Sequence, residues 1–197
     1  MRAVSDDTRE ALLAAAHDLL ATEGPGGLTV RRIAAAAGVS TMNVYSRFGG
    51  KDGVLDELFV DGFRRLMRHM EMSPVTNDPV ADLAGCNECY RQFARENPTY
   101  YALMFEHVVP DFVPSASAQE TAIATLGALA THVQRAMDAG QLRPGDAFAV
   151  ASALWACVHG VVSLELRTSD QAGREFDWDV IAPLAVNALL RGLATGP

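Results

Sequence analysis

Thr41, Asn43, Tyr45, Ser46 and Arg47 place five hydrogen-bonding side chains within seven residues, and Lys51 follows four residues after Arg47. On a helix, at about 100° per residue, Val44 and Phe48 fall on one side and can pack inward. Met42, Asn43 and Ser46 then point the opposite way, and Tyr45 and Arg47 emerge on the two flanks. Thr41 sits in the first turn. Short or flexible readers along the middle and phosphate donors on the sides suit a helix laid in the major groove of DNA.

Such a helix needs a scaffold, and the residues before it supply one. Thr29 can cap a first helix in which Val30, Ile33, Ala34 and Ala37 form one apolar stripe. Gly38 ends that helix, because glycine enters the left-handed conformation without steric cost. Val39 reads as a turn residue turned inward, and Ser40 as the cap of the second helix. Gly49-Gly50 breaks that helix before a third opens at Lys51. The pattern is helix, tight turn, helix.

These residues resemble the DNA-binding end of the TetR family of transcriptional regulators. The resemblance runs through T-V-R-x-I-A-x-x-A-G-V-S at Thr29–Ser40, then Val44-Tyr45, Phe48 and Lys51. Carried over by position, Thr29, Tyr45, Arg47 and Lys51 are implied phosphate contacts, and Thr41, Met42 and Asn43 implied base readers. Arg31 and Ser46 join the DNA-binding set. Gly49-Gly50 stands where the family often has Pro or a polar residue, and is expected to loosen the hinge. Arg47 stands where His is common. The resemblance implies an all-α repressor: an N-terminal three-helix helix-turn-helix domain, then a larger helical domain for ligand binding and dimerisation.

The net charge of −8 argues at first against a nucleic-acid partner. Its distribution answers the objection. Residues 1–53 carry six basic and six acidic side chains, so the whole excess lies beyond them. One neutral end is expected to approach DNA while the remainder is repelled, with little non-specific affinity. No apolar leader is visible, and the three cysteines are an odd number, so a reducing cytoplasm is expected.

Other chemistry is sparse. Cys86-Asn-Glu-Cys89 has metal-like spacing but no second pair, and a structural zinc needs four ligands. No metal, cofactor or catalytic set is assigned, and an enzyme would have to be assembled from scattered Glu106, His107, His132, His159 and Glu165. The competing reading is a helical small-molecule-binding protein or enzyme with an idle N-terminal motif.

Nearly all the rest reads as helix. A first helix is expected from Asp7, with Glu10 completing a capping box, to about Ala21. A long helix is expected from Lys51 to about Met70, with Arg64, Arg65 and Arg68 on a solvated face. Ser73–Pro79 reads as a boundary between helices, and the domains are expected as a DNA-binding domain over 1–53 and a ligand-binding and dimerisation domain over 54–197. Asp78-Pro79 opens the next helix, which Asn97-Pro98 stops. Further helices are expected over Tyr100–Val108, Ser117–Gly140, Pro144–Arg167 and from Asp177 or Asp179 to Leu193, with a polar loop before the last. Ala147–Leu164 is eighteen residues without a charge, read as a helix buried on both sides rather than a membrane span.

Large adaptable side chains recur through the second part: Tyr90, Phe93, Tyr101, Leu103, Met104, Phe105 and Trp155. They could line an apolar cavity or simply pack together. The family resemblance favours a small-molecule effector that releases DNA. Trp155-Ala-Cys-Val-His159-Gly160, with Asn97-Pro98-Thr-Tyr-Tyr101, also resembles a TetR subgroup with a Trp and His-Gly signature. His159 shares a helix face with Trp155 and is either a satisfied buried histidine or a polar tip. The lining has no matching set of Lys or Arg, so the expected effector is neutral or cationic and largely apolar. Leu154, Val158, Val161 and Val162, with Ile181, Leu184, Ala185, Ala188, Leu189 and Gly192, are expected to form a two-fold four-helix seam of a homodimer.

Overall fold

The structure, a computed structural model, describes residues 2–168 and 176–196, with side chains from Asp7 onward. Among them lie nine α-helices and no strand: α1 Arg2–Glu23, α2 Val30–Ala36, α3 Thr41–Phe48, α4 Lys51–Glu71, α5 Pro79–Glu96, α6 Pro98–Phe105, α7 Ala116–Asp138, α8 Ala147–Thr168 and α9 Trp178–Leu193. The fold is all-α, as the periodicity predicts. Helix α1 begins five residues before Asp7, so Asp7 lies inside the helix and does not cap it. The polar loop before α9 falls mostly outside the described residues.

Packing divides the chain into two compact units. One comprises residues 1–63 and 99–121, the other 64–98 and 122–197. The expected DNA-binding segment 1–53 lies wholly in the first. The Ser73–Pro79 stretch, expected as a boundary, lies inside the second.

In the first unit, α1 packs on α2 and α2 on α3. Leu12, Ala16, Ile33, Ala34, Val44, Leu55 and Leu58 are almost fully buried there. Helix α6 belongs to this unit as well. Tyr100 stacks on His17 of α1, ring centroids 4.8 Å apart, and donates a 2.7 Å hydrogen bond to Asp61 of α4. Phe105 meets both Phe63 of α4 and its own neighbour Tyr101, at 5.6 and 5.1 Å between ring centroids.

In the second unit, α8 packs against α5 and α9, and α5 also meets α9. Asp78 caps α5 by accepting from the Ala81 amide at 3.2 Å, and Asp177 caps α9 through the Val180 amide at 3.2 Å. Thr76, just before α5, gives its amide and hydroxyl to Asp82, which also pairs with Arg135 of α7. Burial alone would raise the Asp82 carboxyl, but these partners outweigh it and hold it below the usual carboxylate range.

Candidate nucleic-acid interface and ligand-domain residues

The recognition corner is built from its caps inward. The Thr29 hydroxyl accepts from the Arg32 amide at 3.3 Å and opens α2. Gly38, with φ of 67°, makes the turn between α2 and α3. Val44 is fully buried under α3 and fixes which face looks out. Phe48 is half-buried beneath the Arg9 guanidinium, 5.7 Å from the ring centroid, and Arg9 is also paired with Glu57 of α4. The helix is thereby held at both ends.

The outward face carries Thr41, Met42, Tyr45 and Ser46, all exposed, with Met42 at 70% and Tyr45 at 55% of their full accessibility. Arg31 is exposed on α2, and Lys51 is half-buried at the start of α4. Arg32, the neighbour of Arg31, is paired with Glu23.

Two details differ from expectation. Ser40 occupies the cap position of α3 with extended backbone, yet its hydroxyl takes no amide of the helix. It accepts instead from the Asn43 Nδ2, at 3.1 Å. The Asn43 Oδ1 in turn accepts from Arg47 Nη1, at 2.8 Å. The other detail is the hinge. Gly49 closes α3 in the left-handed conformation (φ 74°, ψ −12°), its amide donating to the Tyr45 carbonyl at 2.9 Å. The turn is thus specified rather than loosened. Gly53 completes it, since a β-carbon there would overlap the Phe48 carbonyl group. Its role carried no signal in the sequence, where it reads as one more helix residue.

Of the expected ligand residues, the second unit brings together Tyr90, Trp155 and His159. The Tyr90 hydroxyl lies 3.1 Å from His159 Nδ1, and the Trp155 and His159 ring centroids are 5.7 Å apart. Phe93 is fully buried with its ring against His69, centroids 5.5 Å apart. Tyr101, Leu103 and Met104 are buried in the first unit, with Phe105 half-buried beside them. Beside the Tyr90 group lies a cation that the sequence reading missed. Arg91 is 3% exposed, forks onto Glu165 at 2.7 and 2.9 Å and reaches Asp179 at 2.7 Å. The one hint was Glu165 itself, an acidic residue immediately after the charge-free run.

The expected seam residues divide. Leu154, Val158, Val161 and Val162 are buried in the subunit's own core, against α5 and α9, and present no outer face. Leu184, Ala188 and Gly192 are exposed, and Ile181, Ala185 and Leu189 half-buried. The outer face of α8 is formed by Ala149, Ala153, Ala156, Gly160 and Leu164. By length and composition α8 could cross a membrane, and 28% of its most apolar window is buried within the subunit.

A buried three-helix corner that leaves a short helix projecting Met, Tyr, Asn and Arg defines a helix-turn-helix DNA-binding protein. Residues 12–58 match the family model described as bacterial regulatory proteins of the tetR family, and residues 83–189 match the tetracyclin repressor-like C-terminal domain. The chain belongs to the TetR family: it is a DNA-binding transcriptional repressor with a ligand-binding C-terminal domain. Regulators of this family act as dimers. A protein of unknown function from Rhodococcus sp. RHA1 is similar at 29% identity and TM-score 0.81, over 95% of this chain and 96% of that one. SmeT, repressor of the Stenotrophomonas maltophilia multidrug efflux pump SmeDEF, is similar at 25% identity and TM-score 0.72, over 96% and 93%. The fatty acid degradation regulator FadR of Bacillus halodurans shares the fold at 17% identity and TM-score 0.75, over 92% and 94%. No curated protein matches the chain.

Proposed function

We propose that this repressor is a cytoplasmic homodimer without catalytic activity, which binds its operator through α3 and is released by a small, largely apolar effector. The observation that carries the DNA contact is the exposure of Met42 and Tyr45 on an eight-residue helix whose opposite face is buried. Large side chains left in water on one short helix mark a contact surface. Thr41, Met42 and Asn43 meet base edges, and Thr29, Tyr45, Arg47 and Lys51 grip phosphates.

The dimer forms through the outer face of α8 with the exposed positions of α9, Leu184 and Ala188 among them. Small residues along α8 permit close helix approach, and covering that face removes apolar surface from water. Two copies set two recognition helices on two half-sites.

The effector meets Trp155 and the Tyr90–His159 pair. Arg91, the buried cation nearby, is already matched by Glu165 and Asp179, so a buried anionic ligand would find no compensation there.

The test starts from duplexes selected out of a random library, with affinity read by fluorescence anisotropy. Lys51→Ala should lower affinity for all sequences and reduce the salt slope by about one unit. Titration with apolar amphiphiles should release DNA from wild type, and Trp155→Ala should blunt release while leaving ligand-free binding nearly intact. Selection that enriches no sequence, or release only by multiply charged anions, would refute this assignment.

A further inference from the structure

The hydroxyl of Ser40 stands at the entrance of α3 but caps nothing. We infer that Ser40 and Arg47 are positioning residues that clamp the Asn43 carboxamide from both ends, fixing it to read an adenine in the major groove. This rests on the reading that α3 lies in that groove.

A carboxamide has a donor end and an acceptor end, nearly equal in size, and an unrestrained asparagine can present either toward a given atom. Here the donor end is bound to Ser40, three residues earlier, and the acceptor end to Arg47, four residues later. Ser40 is the residue just before α3 and Arg47 lies in its last turn, so the two bonds run along the helix surface. A flip of the amide would set its NH2 group against the Arg47 guanidinium, donor against donor, so Arg47 fixes the orientation; the Ser40 hydroxyl, which can donate or accept, holds the other end in place.

Each end keeps unused capacity. The nitrogen has a second hydrogen and the oxygen a second lone pair, and together they form the edge opposite the Cβ atom. That edge offers one donor beside one acceptor. Adenine alone among the bases presents the complement in the major groove, N7 to accept and the N6 amino group to donate. Guanine offers two acceptors there and would leave the Asn43 oxygen facing O6. The half-buried setting of Asn43 makes the unpaired alternative costly.

Ser40 is the discriminating residue, because it makes no bond to a helix amide that its removal could break. The experiment again uses operators selected from random duplexes. In wild type one A·T pair in each half-site should be strongly preferred. Replacing that adenine by 7-deazaadenine, which lacks the N7 acceptor, should cost about tenfold in affinity. Asn43→Ala should lose the same preference and become indifferent to the 7-deaza substitution. Ser40→Ala should keep the thermal midpoint of wild type, yet shrink the preference at that pair alone several-fold. Arg47→Met should do likewise, on top of a loss of affinity for every sequence.

A Ser40→Ala protein that lowers thermal stability and leaves the base preference untouched would overturn the clamp and return Ser40 to a cap. So would an Asn43→Ala protein that loses affinity uniformly. A wild type that selects no sequence at all would instead sink the placement of α3 in the groove.

Discussion

Arg91 of α5 and Glu165 of α8 face each other with two parallel hydrogen bonds, Nε to Oε2 at 2.7 Å and Nη2 to Oε1 at 2.9 Å. Both side chains are buried, and Asp179 at the start of α9 closes on the same guanidinium. The guanidinium is held well above its ordinary range of protonation by the Glu165 hydrogen bonds, against the opposing effect of burial. Three helices therefore meet on one charge. Removing Arg91 as Met leaves Glu165 buried with only Arg95, 3.8 Å away, and should cost about 3–5 kcal/mol. Glu165→Gln should cost less, because Asp179 stays on the guanidinium. Urea unfolding of the two variants measures the difference, and equal losses would mean that Asp179 contributes nothing.

Acid sensitivity follows from three carboxyls. Asp179 is held below its ordinary range chiefly by the Arg91 hydrogen bond, Glu96 by those of Gln92 and His69, and Asp82 as described above. A depressed carboxyl contributes stability that is complete above its unfolded pKa, about 4, and is lost as pH falls through the lower folded value. Urea midpoints should therefore be flat with respect to these groups from pH 7 to about 5 and fall steeply below pH 4. Asp82→Asn should flatten that acid limb while lowering the neutral plateau. An acid limb of the same steepness in the variant would remove Asp82 from the account.

The turn after the recognition helix tolerates no side chain at position 53. A methyl group there meets the Phe48 backbone, with the carbonyl carbon only 2.8 Å from the built β-carbon. Gly53→Ala should lose about 1–3 kcal/mol through overpacking and weaken operator binding, since α3 must shift. Gly26→Ala, at a position with open space around it, is the control and should change neither.

Two arginine substitutions on α8 should fail in different ways. Ala156 lies on the exposed face, so Ala156→Arg should yield folded monomers in sedimentation with greatly reduced operator affinity. Val158 is 3% exposed in the subunit's own core, so Val158→Arg should unfold the second unit itself. Folded monomers from Val158→Arg would show that α8 is turned the other way.

The helix-turn-helix was legible because its signals are local. Thr29, Gly38, Val44 and Gly49 each state a cap, a turn or a buried face within a few residues of the position they control. The inward-facing valines of α8 were not legible as such. A charge-free helix announces burial on more than one face without saying which face meets its own subunit, and only packing against α5 and α9 decides that. The pairing of Arg91 was not legible for a related reason. A single arginine in a polar-looking helix reads as solvated until Glu165, seventy-four residues later, is brought beside it. The Ser40–Asn43–Arg47 chain was hidden differently: a serine at a helix entrance has a default role that masks any other.

Residues 99–121 pack with residues 1–63, although the matched C-terminal family domain already begins at residue 83. Inheritance by halves is thereby restricted. A chimera that joins this DNA-binding end to another relative's effector domain at a linear cut just after residue 63 would give Asp61 and His17 a foreign α6. The tyrosine that stacks on one and bonds the other would be lost unless the donor also carries it. Recombination can keep the response intact only by carrying α6 with the recognition corner, as a graft inside the new effector domain. The operator-reading end of this repressor is therefore a unit of exchange written in two separate stretches of its gene.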